Sequence, residues 1–348
     1  MAASAYQLAS ARTLPARYQA ALLLDFARGQ DIDDAVLLRG SRLDARAILA
    51  EDTRLSPAEY LALIDRLSQA LPSRETPFML GRGLLPGHLG PLSHALLQAR
   101  SLGQALDILI RHQAWLSPLL APHRMPLGDS TALYWTDGCV NPRLRGFVVE
   151  MMMTAVADMC HWLSGVRLPW RYRFNRTRPA HIEQYEVHLG CDTRFNDYLD
   201  AMLIDTAWLD RPWPRGNETA ARLALDEAER QFGAEAGRPG LLAALYDYLL
   251  ERVRVPPSLE RASADFGCSP ATFKRHLAQH GTHYQAELDQ VRAHVSLRLM
   301  CSEGGNNERI AAYLGFHDAN NFRRSFKRWT GATPSGLRAH WLLPAGAE

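Results

Sequence analysis

The sequence predicts an α+β N-terminal domain, helices plus an antiparallel sheet, followed by an all-α domain carrying two helix-turn-helix motifs. Three observations point to this. The 348 residues exceed what one core ordinarily organises. Strand-like pieces are confined to the stretch from about Met125 to Trp213. The last hundred residues read wholly as helix and contain an internal repeat. A chain that is 47% hydrophobic and 22% charged is a globular one, which excludes the disordered and fibrous classes.

From Arg17 to about Gln113 the pattern is helical. Ser56-Pro57-Ala58-Glu59 combines a capping serine, a proline at the first helical position and an acid in the first turn. Leu61, Ile64, Leu67 and Leu71 then recur on one face, and Ser101 opens a second such run through Leu102, Leu106 and Leu109. Gly81-Arg82-Gly83-Leu84-Leu85-Pro86-Gly87 has the wrong spacing for a phosphate-binding loop, and no strand clearly precedes it, so it reads as a loop between helices. Strands are expected at Thr131–Trp135, Trp170–Phe174, His181–Leu189 and Ala201–Thr206, interrupted by a helix from about Leu144 to Leu163. A further helix starts at Asn217-Glu218 and runs to about Phe232, and the Gly- and Pro-rich stretch Gly233–Gly240 reads as a linker. The expected division is 1–215 for an N-terminal domain, 216–239 for a helix and linker, and 240–343 for the helical C-terminal domain.

The repeat carries most of the information. Glu260-Arg-Ala-Ser-Ala-Asp-Phe-Gly267 aligns with Glu308-Arg-Ile-Ala-Ala-Tyr-Leu-Gly315 at an offset of 48 residues. After one extra residue, Asn321, the match resumes as Phe273-Lys-Arg-His-Leu277 against Phe322-Arg-Arg-Ser-Phe326. Each copy has a short helix with small residues (Ala262 and Ala264, Ala311 and Ala312), a turn glycine, and a second helix opened by a polar cap, Ser269 or Asp318. At about 100° per residue, Phe273, Leu277, Phe322, Phe326 and Trp329 point inward, while Arg275, Asn320, Asn321, Arg323, Arg324, Lys327 and Arg328 point outward, with Lys274 flanking. Arginine can donate two bonds to guanine and asparagine can pair bidentately with adenine, so these faces suit a DNA major groove.

Charge agrees with that use. The whole chain has a net charge of +2, but residues 241–348 carry 13 Lys and Arg against 10 Asp and Glu. The only two lysines, Lys274 and Lys327, lie in the two outward-facing basic segments.

At these residues the sequence resembles the AraC/XylS family of bacterial transcription regulators. The stretch from Ile310 to Arg338 matches the family signature almost throughout. Ser269-Pro-Ala-Thr-Phe-Lys-Arg-His-Leu277, Gly281 and Val291-Arg292 match its first half. The resemblance implies that a long helix, about Tyr284 to Cys301, joins two reading helices aimed at successive major grooves. Base contacts in the family fall here on Ala271, Lys274, Arg275, Asn320, Asn321, Arg323 and Arg324, with Ser269, Thr272, Lys327 and Arg328 completing the DNA-binding set. Ala271 departs from the pattern, because it is too short to donate a hydrogen bond. The segment Leu80–Leu92, then Ser101-Leu-Gly-Gln-Ala-Leu106 and Trp208–Trp213, resembles the arabinose-binding-type effector domain of longer family members.

The function implied is a cytoplasmic, ligand-responsive regulator that binds promoter or operator DNA. Its N-terminal domain senses a small molecule (a fatty acid or another metabolite) and controls DNA binding or activation. RNA polymerase and a second copy of the chain in a homodimer are the other implied partners, and no cofactor is expected. The absence of a lysine from the N-terminal domain means that an anionic effector there must be held by arginine, histidine or backbone amides. Met1–Tyr6 has no basic stretch ahead of an apolar core, so no secretion signal is expected, and Glu150, Asp158 and His161 argue against a membrane span in the apolar Gly146–Gly165 stretch.

Other readings are weaker. Five scattered cysteines without C-x-x-C argue against disulfides or a cysteine-rich zinc site. His276, His280 and His283 have metal-like spacing, but the last lies beyond Gly281. An enzyme with this C-terminal domain would be a DNA-repair methyltransferase. Cys139, Cys160 and Cys191 are too far apart in sequence for the thiolate cluster that this chemistry needs, so a non-enzyme is expected. A ligand-independent DNA-binding module is the third reading.

Overall fold

The computed structural model describes residues 6–302 and 304–342. They form two compact units: Gln7–His123 with Leu133–Gly240, and Tyr6 with Arg124–Ala132 and the described residues from Leu241 onward.

The first unit is a helical layer packed with a small sheet. The helix Pro57–Ala70 begins where the capping residues predict. Ser56 Oγ accepts from the Glu59 N–H at 3.2 Å, and the Ser56 N–H donates back to the Glu59 carboxylate at 2.9 Å. The central helix Pro142–Ser164 is buried on nearly every side, from Val148 and Met151 through Val156 to Met159, which is why it shows no single apolar stripe. The helix Thr76–Leu84 lies against it. Gly81 and Gly83 therefore sit inside a helix, not in the loop that their spacing suggested. Gly81 is there for contact: a Cβ at this position would lie 2.4 Å from the Met151 carbonyl oxygen and 2.9 Å from Thr154 Cβ.

The five-stranded sheet has the order Leu120–Leu127, Ser130–Asp137, Ala201–Asp205, Arg171–Arg173, Thr193–Arg194. Arg171–Arg173 pairs antiparallel with Ala201–Asp205, Tyr172 opposite Met202, whereas its other neighbour, Thr193–Arg194, runs parallel to it. That parallel pair is a consequence of the intervening crossover through the helix Ile182–His188. The strand expected at His181–Leu189 is this helix. Ile182 packs on the core while Tyr185 and His188 are buried at a spacing of three, and Val187 is 62% exposed, which a strand with one buried face would not produce. The helix expected from Asn217 continues to Ala236 across a kink at Gly233 (φ 74°), so residues 234–236 of the expected linker are helical.

The second unit is helical apart from Arg124–Ala132, with helices Leu241–Glu251, Leu259–Asp265, Pro270–Gln279, Tyr284–Ser302, Asn307–Tyr313, Ala319–Thr330 and Pro334–Leu342. No helix among the described residues is long and apolar enough to cross a membrane.

Candidate nucleic-acid interface

Each repeat folds into a helical hairpin, and the same devices recur in both. In the first, Gly267 turns the chain with φ 71°, and Ser269 Oγ accepts from the Thr272 N–H at 3.2 Å to start the helix Pro270–Gln279. In the second, Gly315 has φ 75°, and Asp318 Oδ1 accepts from the Asn321 N–H at 2.7 Å to start Ala319–Thr330. That backbone donor holds the Asp318 carboxyl below the usual carboxylate range. Only one small residue of each pair meets the neighbouring helix: Ala262 and Ala311 are buried, whereas Ala264 and Ala312 are exposed.

The inward faces are apolar. Phe273 and Leu277 are buried, with Phe266 and Phe273 ring centroids 5.3 Å apart. Phe322 and Phe326 are buried at 5.6 Å, and Trp329 is half-buried against Phe316 at 5.8 Å. Burying each phenylalanine is worth about 1.5–3 kcal/mol. The helix Tyr284–Ser302 lies between the hairpins and buries Leu288, Val291, Val295 and Leu299.

The outward faces are polar and basic. Ser269, Ala271, Lys274, Arg275, Asn320, Asn321, Arg323, Arg324, Lys327 and Arg328 are exposed, and Thr272 is half-buried. Neither second helix contains an acidic residue between its cap and its end. Some side chains hold one another. Asn321 Nδ2 donates to Asp318 at 3.0 Å, Arg323 donates to Asn320, and Arg328 reaches Asp289 on the connecting helix at 3.3 Å. Ser269 Oγ, besides capping the helix, donates to Thr272 Oγ1 at 3.0 Å. A rigid helix thus presents a row of cationic and amide groups from a fixed apolar backing, which is the geometry that base-edge and phosphate recognition needs.

His276 is half-buried near the Tyr6 hydroxyl, and no group of three His, Cys, Asp or Glu residues among those described is placed to hold a metal ion. The sequence reading missed the polar groups inside the first unit. Arg145 bridges Asp137 and Asp200, with 2.9 Å to the latter, and Arg176 lies 2.9 Å from Glu150, whose carboxylate also accepts from the Tyr185 hydroxyl. Burial raises the Glu150 carboxyl against the opposing pull of Arg176.

Comparison with known proteins assigns both halves. A family model described as the arabinose-binding domain of AraC transcription regulators matches residues 32–213, and a helix-turn-helix domain model matches residues 262–340. The chain is 26% identical to the ornithine utilization regulator of Pseudomonas aeruginosa over 344 residues, covering 94% of this chain and 97% of the relative. It is 24% identical to the regulator VirS of Mycobacterium tuberculosis over 299 residues, covering 83% of this chain and 86% of the relative. Among solved structures, the transcriptional regulator CdpR of Pseudomonas aeruginosa superposes with a TM-score of 0.45 at 19% identity, covering 92% of this chain and 97% of that one. The chain belongs to the AraC family of transcription regulators, with an N-terminal ligand-binding domain and a C-terminal helix-turn-helix DNA-binding domain.

Proposed function

We propose that the helices Pro270–Gln279 and Ala319–Thr330 read successive major grooves of one operator. Lys274, Arg275, Asn320, Asn321, Arg323 and Arg324 meet base edges, and Ala271 makes at most an apolar contact. Ser269, Thr272, Lys327 and Arg328 meet phosphates. The observation that carries this reading is the pair of acid-free, exposed basic faces at matching positions of a structural repeat. Arginine donates bidentately to guanine, asparagine pairs with adenine, and cationic side chains neutralise phosphate. Occupation of the N-terminal domain by a small molecule changes DNA binding or activation, and RNA polymerase and a second copy of the chain are the protein partners. The chain acts by binding and not by catalysis, in the cytoplasm where its DNA lies.

The test is a hydroxyl-radical footprint of the full chain on its own promoter region. One chain should protect two segments about one helical turn (roughly 34 Å) apart on one DNA face, within a non-palindromic site, because the two helices differ in sequence. Protection of a single groove segment, or of a palindrome by two chains with one segment each, contradicts the proposal.

A further inference from the structure

Six large apolar side chains are exposed among the described residues, and three of them stand together on the N-terminal unit: Trp162 (58%), Val166 (50%) and Val187 (62%). Exposed apolar residues scattered singly need no explanation, whereas a group of them points to a surface that another molecule covers. These three ring the mouth of an open cavity of about 180 Å3. Val187 lines it directly. Asp158 and His161 line it from the helix Pro142–Ser164, and Trp162 lies one turn on from Asp158, on the same flank of that helix. Arg167, the residue after Val166, forms another wall.

This rim is held in place. Gly165 ends the helix at φ 75°, and its N–H donates to the His161 carbonyl at 2.9 Å. The Val166 N–H donates to Ser164 Oγ at 3.2 Å, and that hydroxyl donates to the Val166 carbonyl at 2.9 Å. Arg167 donates to the His188 carbonyl at 3.2 Å, which ties the helix end to the neighbouring helix Ile182–His188. Apolar groups presented on a fixed backbone lose little entropy when a partner covers them.

The charges around the mouth are of both signs. Arg82 and Arg167 are exposed, and so are Glu183 and Glu186 on the helix that carries Val187; Asp158 is half-buried on the wall. Arg82, Asp158, Glu183 and Glu186 form no ion pair among the described residues. A surface with a projecting aromatic ring, an open socket and unpaired charges of both signs is complementary to itself. Two-fold symmetry then makes each contact twice. A cavity of about 150 Å3 takes one benzene, so the 180 Å3 socket matches a single aromatic side chain.

We propose that two copies of the chain pair through this surface, each placing Trp162 in the cavity of its partner. The indole lies against Val187 and Ala157 of the other copy. The guanidinium groups of Arg82 and Arg167 cover its face, and the Asp158 carboxylate accepts its N–H. Around that apolar centre the exposed cations meet Glu183 and Glu186 as a polar rim. A membrane surface would set those carboxylates against lipid, and a polar metabolite in the cavity would leave Trp162 and Val166 bare. The inference deepens the reading that a second copy is a partner, and rests on it.

The experiment is sedimentation velocity of the full chain over a nanomolar to micromolar range. The wild-type chain should dimerise. Trp162→Ala should weaken association at least roughly hundredfold, because symmetry removes two aromatic anchors at once, each worth about tenfold or more. Val187→Arg should do the same by crowding the socket with a third guanidinium group. An equal mixture of the two variants should associate better than either alone, since one intact tryptophan then meets one intact socket. A folding defect in either chain could not be rescued in this way. Hydrogen exchange of the wild-type chain gives a reading without any variant: residues 161–167 and 182–188 should exchange more slowly as concentration rises. A wild-type chain that stays monomeric throughout removes the second copy as a partner, and the proposal with it. A wild-type dimer indifferent to both substitutions, a mixture no better than its components, or a dimer without slowed exchange in those segments overturns this surface alone and leaves the homodimer reading standing.

Discussion

On the proposed reading, single side chains divide into those that discriminate and those that merely attract. Arg275, Arg323 and Arg324 project from rigid helices into solvent, and replacing any one by alanine is expected to cost about 1–3 kcal/mol of operator affinity and to relax preference at one base pair. Competition gel shifts against single-base operator variants read this directly. Arg328 is different: it already leans on Asp289 at 3.3 Å, and Arg328→Ala should weaken all DNA sequences alike and reduce the salt slope by about 0.9. A further residue sets an acid limit on stability. His123 is buried beside Thr136 Oγ1 at 2.8 Å, and burial pushes its imidazole down to about 3 from 6.5. Between those values the unfolded chain binds a proton that the folded chain refuses, so stability is full above pH 6.5 and falls on acidification by up to about 1.4 kcal/mol per pH unit. Denaturant unfolding measured across the upper part of that window should show this slope, and His123→Gln should flatten it. A slope unchanged by the substitution would place the titrating group elsewhere.

Among the elements, the packing of Thr76–Leu84 on Pro142–Ser164 gives a paired prediction. Gly81→Ala drives a methyl group into the Met151 carbonyl and should cost about 1–3 kcal/mol. Gly83, two residues on, has nothing within 4 Å of its would-be Cβ, and Gly83→Ala should stabilise by about 0.5–1 kcal/mol through lost chain entropy. Melting temperatures of the two variants should therefore move in opposite directions. The pair also marks the limit of what could be read beforehand. Capping residues such as Ser56, Ser101, Ser269 and Asp318 announce their helices because the signal is local, and the turn glycines Gly267 and Gly315 do the same. Gly81 was misleading because its reason is tertiary: the glycine answers a helix some seventy residues away in sequence. Ile182–His188 was misread for a similar cause, since Tyr185 and Val187 favour strands and only the buried spacing of Tyr185 and His188 reveals the helix. The two basic faces were legible because each lies on one helix. A cavity of the first unit lined by Arg82, Asp158, Trp170 and His188 was not, because these residues come from four separate segments that no spacing connects.

At the scale of the whole molecule, the distribution of amines has the widest reach. The only lysines, Lys274 and Lys327, are both exposed, one on each basic helix. Acetylation removes their charge and leaves arginine untouched, so mild treatment should weaken operator binding while effector binding by the N-terminal unit persists, apart from any effect at the α-amino group. Mass spectrometry with and without operator should find Lys274 shielded by DNA. Equal labelling in both conditions, with undiminished binding, would show that these helices do not read DNA as proposed. The same feature governs how the protein can be handled. Apart from the α-amino group, coupling through amines, the ordinary way to fix a protein to a sensor chip or attach a dye, would here anchor the molecule by its two basic helices and, on the proposed reading, should blind it to its operator while it remained folded. Cys191, a free and exposed thiol on the other unit, offers the sighted attachment. A chip prepared both ways should respond to DNA in only one orientation.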